Sequence, residues 1–183
     1  GRERFSTREM IGVEQRLEEA SLAMGQSQGH AVPLAVRRAA MARDGLGDEQ
    51  ALAVGEVTKS RDLSVVVGYA GTGKSTMLGV AREAWEEAGY RVRGAALSGI
   101  AAEGLQGGAG IESRTLASLE LAWAKGRDRL ERGDVLVVGE AGMVGSRQWG
   151  RGRSVARRAG AICIGDHEYD LFCGAIRTLD QQL

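Results

Sequence analysis

One eight-residue segment constrains the fold of this chain more than any other feature. Residues 68–75 read GYAGTGKS and match the pattern G-x-x-x-x-G-K-[ST] at every fixed position. Glycines let backbone N–H groups turn inward around phosphate oxygens, while Lys74 supplies a positive charge and Ser75 a hydroxyl ligand for magnesium. The helix that follows such a loop directs its positive end at the same anion. The segment therefore predicts a site for ATP with Mg²⁺, formed by Gly68, Gly71, Thr72, Gly73, Lys74, Ser75 and Thr76.

The residues around this loop alternate between strand and helix patterns. Leu63–Val67 is a short β-branched run before the loop, and residues 74–88 place apolar side chains on one side of a helix. Further strands are predicted at 90–97, 134–138 and 161–164, and helices at 100–104, 115–124 and 146–158. A glycine-rich loop containing Gly107, Gly108 and Gly110 is expected between the first two of these helices. This order predicts an α/β fold, in which a parallel sheet is covered by helices on both faces.

The first 45 residues carry a helical pattern and no chemical motif. Ser6 and Glu9 have the spacing of a capping box, and apolar residues from Met10 to Met24 recur at helical intervals until Gly25. A second short helix is predicted at 35–42. The sequence is therefore divided into an N-terminal helical segment or linker, residues 1–45, and a nucleotide-binding domain, residues 46–183.

The amino-acid composition limits which binding partners and which cellular compartment we expect. The 24 basic residues balance the 24 acidic ones, which disfavours binding of nucleic acid by bulk charge but does not exclude a local groove. No apolar run approaches the roughly 20 residues that cross a bilayer, and two cysteines are too few for a disulfide framework. His30 and His167 have no neighbouring metal ligands and are interpreted as ordinary polar residues. We expect a cytoplasmic protein with no membrane partner.

Acidic residues follow two of the predicted strands, at the edge where parallel sheets bind ligands. A phosphate-loop enzyme needs one acid there to hold Mg²⁺ and often a second to orient the attacking water. Glu140 suits the second role and joins Lys74 as a candidate catalytic residue, whereas Gly139 offers no ligand for the first. Asp134 cannot replace that ligand, because five strand residues at ~3.3 Å each place it roughly 16 Å away. Asp166 is predicted either to sense the γ-phosphate or to cap the next turn.

Six segments occur in an order that resembles one protein family. They read FSTREM at 5–10, DEQ at 48–50, VVVGYAGTGKST at 65–76, GAALSGIAA at 94–102, TLASL at 115–119 and EAGM at 140–143. Together they resemble the helicase half of the Ti-type conjugative relaxases (the TraA-like, MobF-type proteins), whose motor is similar to the RecD branch of superfamily-one helicases. The resemblance covers nearly the whole chain, most strongly residues 48–143. It implies a RecA-like P-loop NTPase sheet with single-stranded DNA as a partner.

The resemblance also implies roles for residues outside the phosphate loop. Gln50 matches the glutamine that reads the adenine edge. Two further segments match those that face single-stranded DNA in the family. Their candidate contact residues are Ser98, Gly99, Thr115 and Ser118. The segment GDHEY at 165–169 stands where the family has Gly-Asp-Pro-Glu-Gln, which aligns Asp166 with the family's Asp.

Departures from the family pattern bear on activity. Gly139 replaces the Asp that holds magnesium, and Tyr169 replaces the Gln that senses the γ-phosphate. The printed residues also include no counterpart of the second RecA-like domain or of the relaxase domain. We therefore expect an ATP-binding domain with weak or lost hydrolysis, no autonomous unwinding and weak DNA binding, completed by a second motor domain or a partner protein. Two alternatives stay open: a competent DNA-stimulated ATPase fragment and a non-catalytic nucleotide-binding interaction module.

Overall fold

The computed structural model describes residues 12, 15, 19, 22–24, 26–69, 71–139 and 160–165. Within these ranges, the helices are α1 (Leu34–Met41), α2 (Asp48–Val57), α3 (Lys74–Glu87), α4 (Gly99–Ala109) and α5 (Leu116–Ala124). The strands are β1 (Leu63–Val67), β2 (Arg91–Ala96), β3 (Ser113–Thr115), β4 (Asp134–Val138) and β5 (Gly160–Gly165). The helix predicted at 146–158 lies outside the described residues.

All five strands run parallel in one sheet, in the order β1-β5-β4-β2-β3. The last strand in the sequence, β5, lies between β1 and β4, and Gly165 at its end is opposite Val67 at the end of β1. The carboxyl ends of these three strands therefore meet at one edge, where the phosphate loop begins. The prediction of an α/β fold with a parallel sheet and flanking helices is confirmed.

Helices cover both faces of the sheet because β4 is apolar on both sides. Val135 and Val137 enter a core that includes Trp85 of α3, while Leu136 and Val138 enter a second core under α5. All five residues of β4 are buried. Burial of each such side chain contributes roughly 1.5–3 kcal/mol. The central strand thus joins two hydrophobic cores, which hold the loops at its carboxyl end in place.

Part of the prediction between β2 and α5 is wrong. The helical turn expected at 100–104 extends to Ala109, so that Gly107 and Gly108 are helical and do not lie in a loop. Gly110 follows the helix with a φ of 68°, a left-handed conformation that glycine adopts at little cost. Two elements, α2 and the three-residue strand β3, were not predicted. In both, tertiary contacts outweigh weak local signals.

The segment before β1 contacts the amino edge of the sheet. The described positions before residue 27 are helical as far as Gln26, one residue past the predicted end. The His30 ring pairs through Nδ1 with Asp62 Oδ1 at 2.9 Å and through Nε2 with the Arg132 carbonyl at 2.8 Å. Val32 is buried in the core shared with α3. The division of the chain at residue 45 stays a prediction.

Among the described residues, no helix is long and apolar enough to span a bilayer.

Candidate nucleotide site

The phosphate loop is a tight turn between β1 and α3. Gly71 and Gly73 have φ angles of 82° and 74°, which side chains other than glycine rarely adopt. Thr72 closes the turn, because both its backbone N–H and its hydroxyl donate to the Tyr69 carbonyl, at 3.3 and 2.9 Å. A Cβ at Gly68 would lie 2.9 Å from the Thr72 hydroxyl. The backbone path of the loop therefore favours glycine at 71 and 73, while a side chain at Gly68 would require the Thr72 hydroxyl to move.

Lys74 is the first residue of α3, and its side chain folds back over the loop. Its Nζ donates to the carbonyl oxygens of Gly68 at 2.7 Å and Tyr69 at 2.9 Å. Ser75 and Thr76 follow in the first turn of the helix and are exposed. An ammonium group, two accessible hydroxyl groups and the positive end of a 14-residue helix thus converge on one concave loop. This arrangement suits a triphosphate.

The Gln50 side chain bonds to two backbone groups, one of which belongs to the phosphate loop. Its Oε1 accepts a hydrogen bond from the Gly47 N–H at 2.9 Å and completes a cap at the start of α2. Its Nε2 donates to the Thr72 carbonyl at 2.9 Å. A Cβ at Gly73 would collide with the same Nε2. The predicted contact with adenine stays a prediction, and the structure adds a direct support of the loop that sequence reasoning missed.

The two predicted acids lie outside the described residues, but the backbone beside each is described. Gly139 follows β4, and its N–H donates to the Ala95 carbonyl at 2.8 Å. Among the described residues, the atom nearest to a Cβ at Gly139 would be that carbonyl, at 3.8 Å. Glu140 comes next in the sequence, and Asp166 directly follows β5, the neighbour of β1. Both acids therefore follow strands that end at the edge where the phosphate loop begins.

The oxygen donors of this site can be compared with the ligands that Mg²⁺ usually has in proteins. Mg²⁺ is usually held by one or two protein oxygens together with phosphates and water. The exposed Ser75 hydroxyl at the start of α3 provides one such oxygen. In the part of the chain that the structure describes, no group of three or more His, Cys, Asp or Glu residues could hold a metal by itself. The site thus suits an ion bound mainly through phosphate, with Ser75 as a protein ligand.

The candidate DNA-contact residues lie at the ends of β2 and β3. The Ser98 hydroxyl accepts from the Ala101 N–H at 3.1 Å and caps α4, whose first residue is Gly99. The Thr115 hydroxyl accepts from the Ser118 N–H at 3.2 Å and caps α5. Because β2 and β3 are paired in parallel, two helix amino termini lie side by side at this edge. The structure brings all four candidates to one edge of the sheet.

A pair of arginines beside this edge was not predicted. Arg93 and Arg114 each contact a carboxylate oxygen of Asp128, at 2.6 and 2.7 Å. Arg114 also donates to the Ser118 hydroxyl at 2.6 Å. Arg114 therefore brings a guanidinium group to the candidate DNA-contact residue Ser118, while Arg93 lies in the middle of β2 and shares the Asp128 carboxylate with it. The sequence contained no signal for this cluster, because Asp128 is 14 residues from Arg114 and 35 from Arg93.

At the opposite edge of the sheet, Asp134 forms an ion pair that excludes it from the nucleotide site, as predicted. Its carboxylate accepts from Arg91 at 2.7 and 2.8 Å and from the Glu131 N–H at 2.8 Å. Burial by itself would raise the pKa of Asp134, but the hydrogen bonds from Arg91 and Glu131 and the charges of Arg91 and Arg93 outweigh it. The pKa of Asp134 is therefore lowered below 3.8. The hydrogen bond to Asp134 in turn raises the pKa of Arg91.

Comparison with known proteins places this site in a family. A family model described as an AAA domain matches residues 45–169, from just before α2 to beyond β5. The chain is 47% identical over 168 residues to the conjugal transfer protein TraA of Agrobacterium fabrum (strain C58). It is 45% identical over 168 residues to the probable conjugal transfer protein TraA of Sinorhizobium fredii (strain NGR234) and to the conjugal transfer protein TraA of Rhizobium radiobacter. The resemblance found in the sequence is confirmed.

These relatives are much longer than the chain. Each match covers 90% of this chain but 15% of the relative. The chain therefore spans about 15% of the length of the curated relatives it matches.

Proposed function

The chain belongs to the AAA domain family, and we propose that it binds ATP with Mg²⁺ through the loop at 68–75 as part of a conjugative DNA-processing motor. One observation carries the proposal. The Lys74 ammonium lies 2.7 Å from the Gly68 carbonyl and 2.9 Å from the Tyr69 carbonyl, above two glycines in left-handed conformations. A cation held at this point, at the start of a helix, suits the β- and γ-phosphates of a nucleotide.

Each residue of the site has a proposed task. Lys74 neutralises charge on the phosphates, and the backbone N–H groups of the loop donate to their oxygens. Ser75 contributes a ligand to magnesium, which neutralises the charge that develops on the phosphates during transfer. Glu140 orients the attacking water, Asp166 contacts the water network at the γ-phosphate, and Gln50 binds the nucleotide from the side of α2. These assignments combine the geometry of the loop with the family resemblance.

We propose that hydrolysis is weak, because Gly139 stands at the end of β4, where an acidic residue is expected. Phosphoryl transfer depends on the positioning of charge, and a glycine offers no oxygen with which to hold the magnesium ion. Binding depends less on this position, since Ser75 and the phosphates still provide ligands. A competent ATPase and a non-catalytic binding module are the two rivals of this proposal.

Single-stranded DNA is the proposed partner, since the relatives are conjugal transfer proteins. Its backbone would contact Ser98, Gly99, Thr115 and Ser118, where two helix amino termini meet and Arg114 adds a guanidinium group beside Ser118. With equal numbers of acidic and basic residues in the chain, few phosphates are neutralised, and the dependence on salt should be shallow. We place the protein in the cytoplasm and expect a second motor domain or a partner protein to complete the motor.

Calorimetry with MgATP tests the nucleotide site. Removing the Lys74 ammonium leaves phosphate charge uncompensated, and hydrogen bonds to charged groups are worth about 1.5–3 kcal/mol. Lys74→Ala is therefore expected to weaken MgATP binding by roughly tenfold or more. Equal affinities for the two proteins would refute the proposal.

An ATP turnover assay with and without single-stranded DNA distinguishes weak hydrolysis from the two alternatives, a competent ATPase and a non-catalytic binding module. Turnover at the rate of an intact motor, stimulated by DNA, would establish the competent ATPase. Binding without turnover would establish the non-catalytic module, and slow turnover is the result that we expect.

A further inference from the structure

Helix α4 passes unusually close to the start of α3, at the residue that is expected to hold magnesium. A Cβ built on Gly108 would lie 2.9 Å from both Cβ and Oγ of Ser75. The next residue of α4 is Ala109, and its carbonyl oxygen would be in ordinary contact with a Cβ built on Gly79 of α3, at 3.6 Å. The two helices thus approach each other where both carry glycine, and the closest point is Ser75.

A side chain at position 108 cannot be accommodated by rotation of the Ser75 hydroxyl alone. Ser75 Cβ is attached to the first turn of α3, and its position is set by the backbone that also carries Lys74. Unbonded carbon atoms normally lie about 3.5–4.0 Å apart, so one helix would have to move by roughly 0.6–1 Å. Displacements of this size at a catalytic site reduce rates strongly.

The neighbouring glycines of α4 do not share this property. A Cβ at Gly104 or at Gly107 would meet no atom of the described residues within 4 Å. Glycine costs a helix about 1 kcal/mol relative to alanine, so these residues weaken α4 without a packing reason. The requirement for glycine is therefore specific to the residue that faces Ser75.

Helix α4 also borders the other position at which a magnesium ligand is expected. A Cβ at Gly139 would lie 3.9 Å from Leu105 Cδ2 of the same helix. The side of α4 that carries Leu105 and Gly108 therefore runs past both the serine of the phosphate loop and the end of β4.

We propose that Gly108 is a positioning residue for the magnesium ligand Ser75. Its missing side chain lets α4 lie directly against Ser75 without displacing the start of α3, which carries the hydroxyl that would hold magnesium. This inference rests on the proposed nucleotide function. It adds that α4 determines how much magnesium strengthens nucleotide binding.

The test compares Gly108→Ala with Gly107→Ala, two variants that add the same methyl group to adjacent positions of one helix. ATP affinity is measured with excess Mg²⁺ and again with a chelator in place of Mg²⁺. We expect Gly107→Ala to match the wild type in both conditions. Gly108→Ala can also displace Lys74, so it should weaken binding in both conditions, but its loss of affinity with Mg²⁺ should exceed its loss in the chelator by about fivefold or more.

A double variant shows whether Gly108 acts through Ser75. Ser75→Ala removes the hydroxyl ligand, so adding Gly108→Ala to it should cause no further loss of the magnesium-dependent gain. The inference is wrong if Gly108→Ala behaves like Gly107→Ala, if it loses affinity equally in both conditions, or if its effect adds to that of Ser75→Ala. Absence of MgATP binding by the wild type would instead refute the proposed function.

A second variant carries the test if Gly108→Ala does not fold. Leu105→Ala shortens the side chain that packs α4 toward the sheet, and the loosened helix should reduce the magnesium-dependent gain in the same direction. An unchanged gain in a folded Leu105→Ala protein would contradict the inference.

Discussion

Gln50 supports the phosphate loop by donating a hydrogen bond from Nε2 to the carbonyl oxygen of Thr72, at 2.9 Å. The Oε1 of the same amide accepts from the Gly47 N–H, so one side chain joins the start of α2 to the loop. A residue that supports the loop should affect every ligand bound through phosphate, whether or not the ligand carries a base.

Gln50→Ala is therefore expected to weaken the binding of both MgATP and magnesium tripolyphosphate by about fivefold. A hydrogen bond contributes about 1 kcal/mol, which corresponds to that factor. Calorimetry with the two ligands measures the effect, and Leu52→Ala, an exposed change in the same helix, should leave both affinities unchanged. Loss of ATP affinity alone would show that Gln50 acts by reading adenine.

Gly139→Asp is expected to raise ATPase turnover several-fold while the affinity for MgATP shifts little. The new Cβ has room with respect to the part of the chain that the structure describes, where its nearest neighbour would be the Ala95 carbonyl at 3.8 Å. The carboxylate would face a divalent cation, which compensates its charge and is held more firmly by it. Gly139→Asn is the matched control, because it adds a side chain of the same shape without the charge. Equal turnover in the wild type and both variants would exclude Gly139 as the cause of weak hydrolysis.

The ion pair of Asp134 and Arg91 predicts a loss of stability in acid. Because the pKa of Asp134 is lowered on folding, its contribution is complete above the ordinary value of 3.8 and is lost as the pH falls through the lower folded pKa. The Arg91 side chain is 60% exposed, so solvent screens the pair and we expect only about 1 kcal/mol at neutral pH. Urea unfolding between pH 3 and 7 measures this, and Asp134→Asn should flatten the dependence below pH 4. An unchanged pH profile in that variant would contradict the prediction.

Gly104 and Gly110 should respond to substitution by alanine in opposite ways. Gly104 lies within α4, and no atom in the described ranges comes within 4 Å of its Cβ position, so Gly104→Ala should stabilise the protein by up to about 1 kcal/mol. Gly110 has a φ of 68° and would place a Cβ 3.3 Å from Arg82 Nε, so Gly110→Ala should destabilise it by about 1 kcal/mol or more. Thermal unfolding compares the two variants. Shifts of the same sign would contradict the assignment of these residues to the helix and its end.

Sequence patterns predicted best the elements whose local and tertiary preferences agree. The β-branched run at 63–67 and the apolar run at 134–138 were predicted with their observed bounds. The second is buried on both faces, as such a run predicts, whereas the first is only partly buried and Val67 at its end is exposed. The phosphate loop was predicted because its glycines are demanded by its own backbone, as the φ angles of Gly71 and Gly73 show.

The misses occurred where packing outweighs local preference. The glycines at 107, 108 and 110 led to the prediction of a loop, but burial of Ala102 and Ala109 and contact with α3 keep α4 helical as far as Ala109. Ser98 and Gly110 bracket the helix as cap residues and were the available signal for its length. Strand β3 has three polar or charged residues, and only its pairing with β2 makes it a strand. The contact of Gly108 with Ser75 joins positions 33 residues apart, which no local pattern encodes.

The burial of β4 on both faces leaves the strand with little to specify its alignment. A shift by one residue would exchange the side chains that enter the two cores, yet valine and leucine would still be buried on each side. Among the described residues, Asp134 is the buried charged side chain, and it lies opposite Arg91 in the neighbouring strand. A shifted strand would separate the carboxylate from its guanidinium and leave it buried with the Glu131 N–H as its remaining partner. We therefore expect the ion pair to favour one alignment among several that are almost equally apolar, and so to contribute to the uniqueness of the fold.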